Sequence, residues 1–450
     1  MKNGTMDLTV GKPLRQILFF SIPLVLGTLF QQLYSFVDTM MVGRLIGPEA
    51  LASVGVTYSF QFLTLGFVQG ASVGFGILLA RSMGSKDPQE FKVCFWNGVW
   101  LCIAMAAVMT FAMYFLADPV LRLIQTPEDV FDGASVYARI VFLGIPATIF
   151  YNYCAVTLRS AGDSQRPFYF LIFSSFLNIL LDYVFIVPMG MGVGGAALAT
   201  VLSQFVSGLL NCLWIIFRTD LLKGSLGLRG INALHIKELS KVGFPMGFEY
   251  SVSAIGAVIM QGSINVLGTA AVAGQTAAEK IRQMFTLPME SVGMGMSTYV
   301  GQNDGAKRID RIKAGIKDGL KIQYTYCVIV WVVIFFGKRF FTYLVLGPDS
   351  GEAGELSVQY LTIISALFFI HGSLMIMRNT LQGMGYSVHS VLSGVGELLG
   401  RTLGGVLAIS TGLGFAGICL ANPFAWGFAL IYCTIMTFHF LKKREAGLRA

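Results

Sequence analysis

The sequence predicts an all-α membrane protein of twelve transmembrane helices, set out as two six-helix lobes related by a pseudo-twofold axis. Composition gives the first reason. The chain is 55% hydrophobic and only 12% charged, with a mean hydropathy of +0.69, whereas soluble domains carry roughly twice that charge. The second reason is a series of apolar runs long enough to cross a hydrocarbon layer of about 30 Å. Backbone polar groups in lipid must be satisfied within the segment, so such runs are helices. The alternating ten-residue segments of a membrane barrel are missing. The third reason is repetition. The segment from Gly192 to Thr200 returns from Gly414 to Asn422, a separation of 414 − 192 = 222 residues. Pro23 and Pro245 keep that offset (222), as nearly do Gly47 and Gly268 (221), Gly74 and Gly295 (221), Gly84 and Gly305 (221), and Gly162 and Gly385 (223). A steady offset along an apolar chain is the mark of a transporter built by duplication, with its substrate site near the membrane midplane.

The expected spans are 14–42, 54–80, 93–116, 135–157, 168–187 and 195–217, then 242–267, 276–300, 319–336, 357–380, 390–410 and 416–441. This divides the chain into an N-terminal lobe (1–217), a basic, Gly- and Asn-punctuated linker (218–241) and a C-terminal lobe (242–450). The first run continues past signal-peptide length to Val42 without a small-residue cleavage site, so it reads as a retained span. With the N-terminus inside, 24 of the 32 Lys and Arg residues fall in inner loops and tails and 5 in outer loops. That bias places both termini in the cytoplasm, and it accounts for the net charge of +8 without nucleic acid. Six spans per half make the repeat parallel, its axis along the membrane normal. The seven cysteines lie in or beside apolar runs, with no Cys-x-x-Cys pair, and read as reduced small residues without a disulfide or metal role.

Ionisable groups inside the spans cost at least about 2.5–3.5 kcal/mol each on insertion scales, so each is a functional candidate. Asp38 closes the first span, with Tyr34 one turn earlier on the same face. Asn178 and Asp182, spaced i, i+4, share a face of the fifth span, and Thr200 lies in the sixth. A carboxylate, an amide carbonyl and a hydroxyl together suit a hard monovalent cation or a tuned proton site. In the second half, Glu249 follows Pro245 and Glu290 follows Pro288. Glu290 stands where the 221 offset places Gln69, 290 − 69 = 221, so a neutral polar position has become acidic. Tyr34, Gln69, Glu249 and Glu290 are therefore candidates for lining a substrate cavity. Glu397 and Arg401, i, i+4, read as a structural ion pair. Glu279, Lys280 and Arg282 read as snorkelling residues near a span end. Pro23, Pro146, Pro245 and Pro288 fall inside spans and permit kinks. Kinks in the first and seventh spans would occupy equivalent places and could serve as a gate.

Several motifs fail on context. Gly70-Ala71-Ser72-Val73-Gly74 has the spacing of a hydrolase elbow but no strand before it. Gly190 to Gly195 lacks the spacing of a nucleotide loop, and there is no Walker motif or His-Glu-x-x-His. Asn3-Gly4-Thr5 is a formal glycosylation acceptor on the side expected to be cytoplasmic. No nucleophile or metal set argues for an enzyme, and energy must come from an ion gradient or the membrane potential.

These features resemble the multidrug and toxic-compound extrusion (MATE) family. The resemblance rests on Val37-Asp38-Thr39-Met40-Met41-Val42-Gly43-Arg44, Leu158-Arg159-Ser160-Ala161-Gly162-Asp163, Gly192 to Thr200, and Val300-Gly301-Gln302-Asn303, and it covers essentially the whole chain. It implies two six-helix lobes in a V shape and a cation-coupled antiporter, a monomer in the plasma membrane. The antiporter would expel amphiphilic organic cations and other drugs in exchange for H⁺ or Na⁺, with no cofactor. One branch of the family carries an Asp on the first helix, an Asn and an Asp on the fifth and a Thr on the sixth. Asp38, Asn178, Asp182 and Thr200 match that set, which becomes the expected ion-coupling site and the candidate for Na⁺. A second branch uses acids in the seventh and tenth helices; the tenth span here has none. Alternatives are a lipid-linked precursor flippase of the same superfamily or, in a different class, a membrane receptor or enzyme.

Overall fold

A computed structural model of the chain describes residues 5–225, 227 and 229–449. Lys2 and the Asn3-Gly4 portion of the glycosylation sequon lie outside them. The first half forms α1 (Pro13–Leu45), α2 (Pro48–Gly84), α3 (Pro88–Leu123), α4 (Glu128–Leu143), α5 (Ile145–Ser160), α6 (Gln165–Ile186) and α7 (Gly192–Arg218). The second half forms α8 (Ala233–Asn265), α9 (Thr269–Gly305), α10 (Ile309–Leu346), α11 (Gly351–Ala366), α12 (Phe368–Gly383), α13 (Ser387–Ser410) and α14 (Gly414–Arg449). Among the described residues there is no strand. This is the all-α membrane fold that the composition predicts.

The duplication reaches the backbone. α1 and α8 are each 33 residues long, and α2 and α9 each 37. The left-handed turns recur at the same offset: Lys86 and Lys307 both have φ 57°, and Gly162 and Gly385 have φ 91° and 82°. Two lysines held at positive φ, an uncommon conformation for any residue with a Cβ, are hard to attribute to chance.

The predicted fourth and tenth spans are each two helices. α4 and α5 bend by 44° and α11 and α12 by 50°. Pro146, in the first turn of α5, cannot donate to the preceding turn, and its ring crowds the carbonyl four residues back. In the second pair no proline intervenes. There Leu367 N–H bonds to Ile364 O at 3.0 Å, a tight three-residue turn that ends α11. Among the described residues, eight single helices and these two bent pairs are long and apolar enough to cross a membrane. α8 and α9 complete the twelve as the repeat partners of α1 and α2, and Glu279, Lys280, Arg282 and Glu290 are what lower the hydropathy of α9.

Two compact units result. One comprises residues 1–7 and 26–247, the other residues 8–25 and 248–450. α1 and α8 thus each contribute to both, dividing just after Pro23 and Pro245, which lie inside them. In the first unit, a Cβ on Gly70 would lie 2.5 Å from the Met246 carbonyl oxygen, and one on Gly74 would lie 2.5 Å from Gly243 Cα. The elbow-like Gly70–Gly74 spacing is therefore a small-xxx-small stripe, facing a second such stripe at Gly243 and Gly247. In the second unit, a Cβ on Gly295, the counterpart of Gly74, would lie 2.3 Å from Ser21 Oγ.

The family-like motifs have structural duties as well. Gln302 Oε1 accepts from Leu8 N–H at 3.0 Å, and Asn303 Nδ2 donates to Leu8 O at 3.1 Å. Arg311 donates to Leu8 O, Gly11 O and the Oε1 of Gln16, fastening residues 8–16 to the second unit. In the first unit, Asp163 Oδ1 caps α6 through the N–H groups of Gln165 and Arg166 (3.1 and 3.0 Å). Burial pushes the Asp163 carboxyl above its ordinary range.

Replacing Gly74 by Val sets a branched side chain against backbone, which has nowhere to go. We expect a lower melting temperature in detergent, corresponding to about 1–3 kcal/mol of overpacking. Gly55→Ala, where a Cβ meets nothing within 4 Å, should leave the melting temperature unchanged or raise it. Equal melting temperatures for Gly74→Val and the parent would contradict the close approach of α2 and α8.

Candidate functional site

In the first unit, α6 and α7 carry polar residues every fourth position on otherwise apolar helices. On α6 these are Ser174, Asn178 and Asp182; on α7 they are Ser203, Ser207 and Asn211. All six are buried, Asp182 completely. The carboxyls of Asp38, on α1, and Asp182 lie within hydrogen-bonding reach of each other. Tyr34 and Tyr137 stand close to both. Among the described residues neither oxygen of Asp182 meets a donor; nor does Asp38 Oδ1, and both side-chain polar atoms of Asn178 are unpartnered. Among the described residues no Lys, Arg or His forms an ion pair with either aspartate.

Beside them is a cavity of about 20 Å³ lined by Tyr34, Tyr151, Asn178, Thr200, Ser203 and Gln204, among others. That is room for one water or one small cation. The Thr200 hydroxyl donates to Ala196 O at 3.1 Å, which leaves its lone pairs available to the cavity. Tyr34, Asn178 and Thr200 are therefore brought together, and Asp38 and Asp182 are brought together next to Tyr34. Gln69 is exposed on α2 and does not line this cavity. Tyr137, Tyr151, Ser203 and Gln204 are participants that the sequence reading passed over. The four-residue spacing of Ser203, Ser207 and Asn211 was the available signal.

The second unit treats its charges differently. Glu249 is 8% exposed and accepts from Gln382 Nε2 at 3.0 Å and from Ser390 Oγ. Arg378 Nε is 3.4 Å from Glu249, and its Nη2 pairs with Glu397. Glu397 also accepts from Arg401 Nη2 at 3.0 Å, and Arg401 Nε donates to Asn422 Oδ1 at 3.1 Å. Asn422 Nδ2 donates to Tyr360 Oη at 3.2 Å, Tyr360 Oη donates to Glu279 at 2.8 Å, and Glu279 pairs with Arg282. Three glutamates and three arginines thus form one continuous network, in which Glu397 and Arg401 are the middle members.

Two expectations change here. The count of inner positive charges includes Arg378, near the inner end of the span expected at 357–380, but it is 7% exposed within α12. The arginine lies near the end of an apolar run, and sequence alone could not reveal that α13 and α8 fold over it. Glu279 and Arg282 were expected to snorkel; they pair with each other and point into the network. Glu290 stays outside it, half exposed, with Oε1 3.9 Å from His371 Nε2.

The architecture is that of a multi-pass helical membrane protein with a duplicated bundle and differently charged halves. The MatE family model matches residues 23–184 and again 245–399, once in each half. The chain belongs to the MatE family. It is 29% identical over 387 residues to the probable multidrug resistance protein YpnP of Bacillus subtilis, covering 84% of each chain. It is 25% identical over 429 residues to the probable multidrug resistance protein YoeA of the same organism, covering 93% of this chain and 92% of the relative. The fold also superposes on a crystal structure of MATE in the bent conformation with a TM-score of 0.92, at 22% identity and full coverage of both chains.

Arg378 is the joint of the second unit's network. Arg378→Met strands Glu249 beside Glu397, and breaking a buried pair this way costs about 3–5 kcal/mol. We expect a large drop in detergent melting temperature, partly restored in Arg378→Met/Glu249→Gln. No restoration would mean that Glu249 and Arg378 are not coupled.

Proposed function

We propose that the protein is a secondary active multidrug efflux antiporter that exchanges organic cations and other drugs for H⁺ or Na⁺. The observation that supports this most directly is the contrast between the two units. Every buried acid of the second unit's network has an arginine, whereas Asp38 and Asp182 have only each other. Two carboxylates side by side, Asp182 fully buried and Asp38 partly so, cannot both stand bare; an exchangeable proton or a small cation satisfies them. Asn178 Oδ1, Thr200 Oγ1 and the carboxylate oxygens are all oxygen donors of the kind that suits a hard monovalent cation. The relatives named as probable multidrug resistance proteins support drugs as cargo.

The proposed cycle is a competition. When the site is open to the outside, the ion gradient loads Asp38 and Asp182 and weakens drug binding. When it is open to the cytoplasm, the ion leaves and the drug enters. Each charge moved across 100 mV supplies about 2.3 kcal/mol, and tenfold tighter binding in one state needs only about 1.4 kcal/mol. Positively charged amphiphiles suit an acidic cavity, and soft methionine and aromatic surfaces adapt to varied shapes. In this reading both termini are cytoplasmic, the protein acts as a monomer in the plasma membrane, and it needs no cofactor beyond the coupling ion. Glu249 is a structural acid, and Glu290, half exposed beside His371, is the second-unit acid best placed to meet cargo.

The test is ethidium efflux from proteoliposomes under an imposed pH gradient or an imposed Na⁺ gradient, one at a time. One of the two should drive transport. Asp38→Asn and Asp182→Asn should each lower the gradient-driven rate roughly tenfold or more, about 1.4 kcal/mol of lost coupling, with unchanged yield and monodispersity. Full gradient-driven efflux in the double variant Asp38→Asn/Asp182→Asn would sink the proposal.

A further inference from the structure

A separate cluster lies where α3 meets the start of α8, on helices other than the two that carry the aspartate pair. Glu90 and Cys94 stand on successive turns of α3, and His235 is in the first turn of α8. Glu90 Oε1 is 3.0 Å from His235 Nε2 and 3.7 Å from Cys94 Sγ. The three ligand atoms all fall within 4.8 Å of one another. We propose that Glu90, Cys94 and His235 form a binding site for a borderline-soft divalent metal ion of the Zn²⁺ type.

The geometry fits that class of ion. Zinc bonds of about 2.0–2.3 Å at tetrahedral angles imply edges of about 3.3 Å between N and O and about 3.5 Å between S and O. Two of the three edges already have nearly those lengths, and the S···N edge is within 4.8 Å. A thiolate, an imidazole and a carboxylate suit Zn²⁺ or Co²⁺; Mg²⁺ and Ca²⁺ require all-oxygen shells. Glu238 is one turn beyond His235 on α8, near enough for its charge to reach Cys94. It is a candidate for the fourth position, with water as the alternative.

The site is also held in place before any ion arrives. Asn97 Oδ1, one turn past Cys94, accepts from Asn232 N–H at 2.8 Å. Asn232 Oδ1 in turn caps α8 through Leu234 N–H at 3.0 Å. Trp100 Nε1 donates to Arg229 O at 2.9 Å, and the Arg229 guanidinium lies 4.4 Å from the Trp96 ring centre. The segment before α8 is thus tied along α3 at several points, and an ion would add a cross-link from the α3 side chains to the first turn of α8. The expectation that all seven cysteines are inert filler then fails for Cys94.

The experiment uses the purified full chain in detergent, stripped with chelator and titrated with Co²⁺. We expect one equivalent to bind, with intense visible d–d bands of a tetrahedral ion and a near-ultraviolet thiolate-to-cobalt charge-transfer band, both displaced by Zn²⁺. Cys94→Ser should abolish the charge-transfer band, and His235→Gln should weaken binding roughly tenfold or more. Zn²⁺ should raise the melting temperature of the parent and not that of either variant. Absence of the charge-transfer band in the parent overturns the proposal, as does its persistence in Cys94→Ser through any of the other thiols. If Cys94→Ser does not stay monodisperse, His235→Gln and Cys94→Ala decide by the same bands. Unchanged affinity in His235→Gln overturns the site.

Discussion

An ion inside an apolar bundle must be neutralised where it stands, and this constraint organises the protein's interior. The desolvation cost of a buried charge exceeds what ordinary packing returns. Such a charge therefore persists only with a partner or with an exchangeable counter-ion. The second unit takes the first course. Glu249, Glu279 and Glu397 are matched by Arg282, Arg378 and Arg401, and Tyr360, Asn422, Gln382 and Ser390 fill the remaining hydrogen-bond positions. The first unit takes the other course: Asp38 and Asp182 are left to each other, beside a cavity that holds no more than a small ion. A fully paired network resists change because removing any member strands another. An unpaired acid pair responds to whatever cation is available.

The helices around these groups depend on close packing of small residues, because lipid offers no hydrophobic drive between helices. Gly70 and Gly74 bring α2 against the first part of α8, and Gly295 brings α9 against Ser21 of α1. In both halves the close contact lies within a few residues of a helix proline, Pro245 or Pro23: backbone at Val242, Gly243, Met246 and Gly247 in one, the Ser21 and Phe20 side chains in the other. The short stretch around each proline is thus held by a glycine of the neighbouring helix, while the rest of the same helix belongs to the other compact unit.

The fold was legible because apolar runs and a repeat offset are one-dimensional signals. They survive without knowledge of which helix lies beside which. The bent pairs were half legible: Pro146 marked α4 and α5, but the turn at Leu367 has no sequence signature. The polar stripe on α6 was readable from Asn178 and Asp182, and the matching stripe on α7 from Ser203, Ser207 and Asn211 carried the same period. Arg378 was not legible, since an arginine near a span end is as compatible with an inner loop as with the bundle. Whether a charge is paired depends on neighbours 129–141 positions away, as the partners of Glu249 show. Periodicity within one helix cannot supply that information.

Aligning the halves shows how one duplicated bundle came to hold two kinds of site. Tyr360 is the counterpart of Tyr137, since 360 − 137 = 223 and α11 follows α4 at 351 − 128 = 223. Asn422 is the counterpart of Thr200, 422 − 200 = 222, as α14 follows α7 at 414 − 192 = 222. In each unit the tyrosine stands beside acids and the small polar residue beside the same polar interior. The charges do not correspond. Arg378 faces no equivalent, because its counterpart is Ala155 (378 − 155 = 223), and Arg401 falls at Ile179 (401 − 179 = 222). Asp182 in turn falls at Gly404, 404 − 182 = 222, a glycine whose Cβ would meet the Ala421 backbone at 2.9 Å. The tyrosine and the small polar residue are therefore the shared framework, and the arginines are the difference. The same carboxylate chemistry is matched by arginines in one half and has none among the described residues of the other.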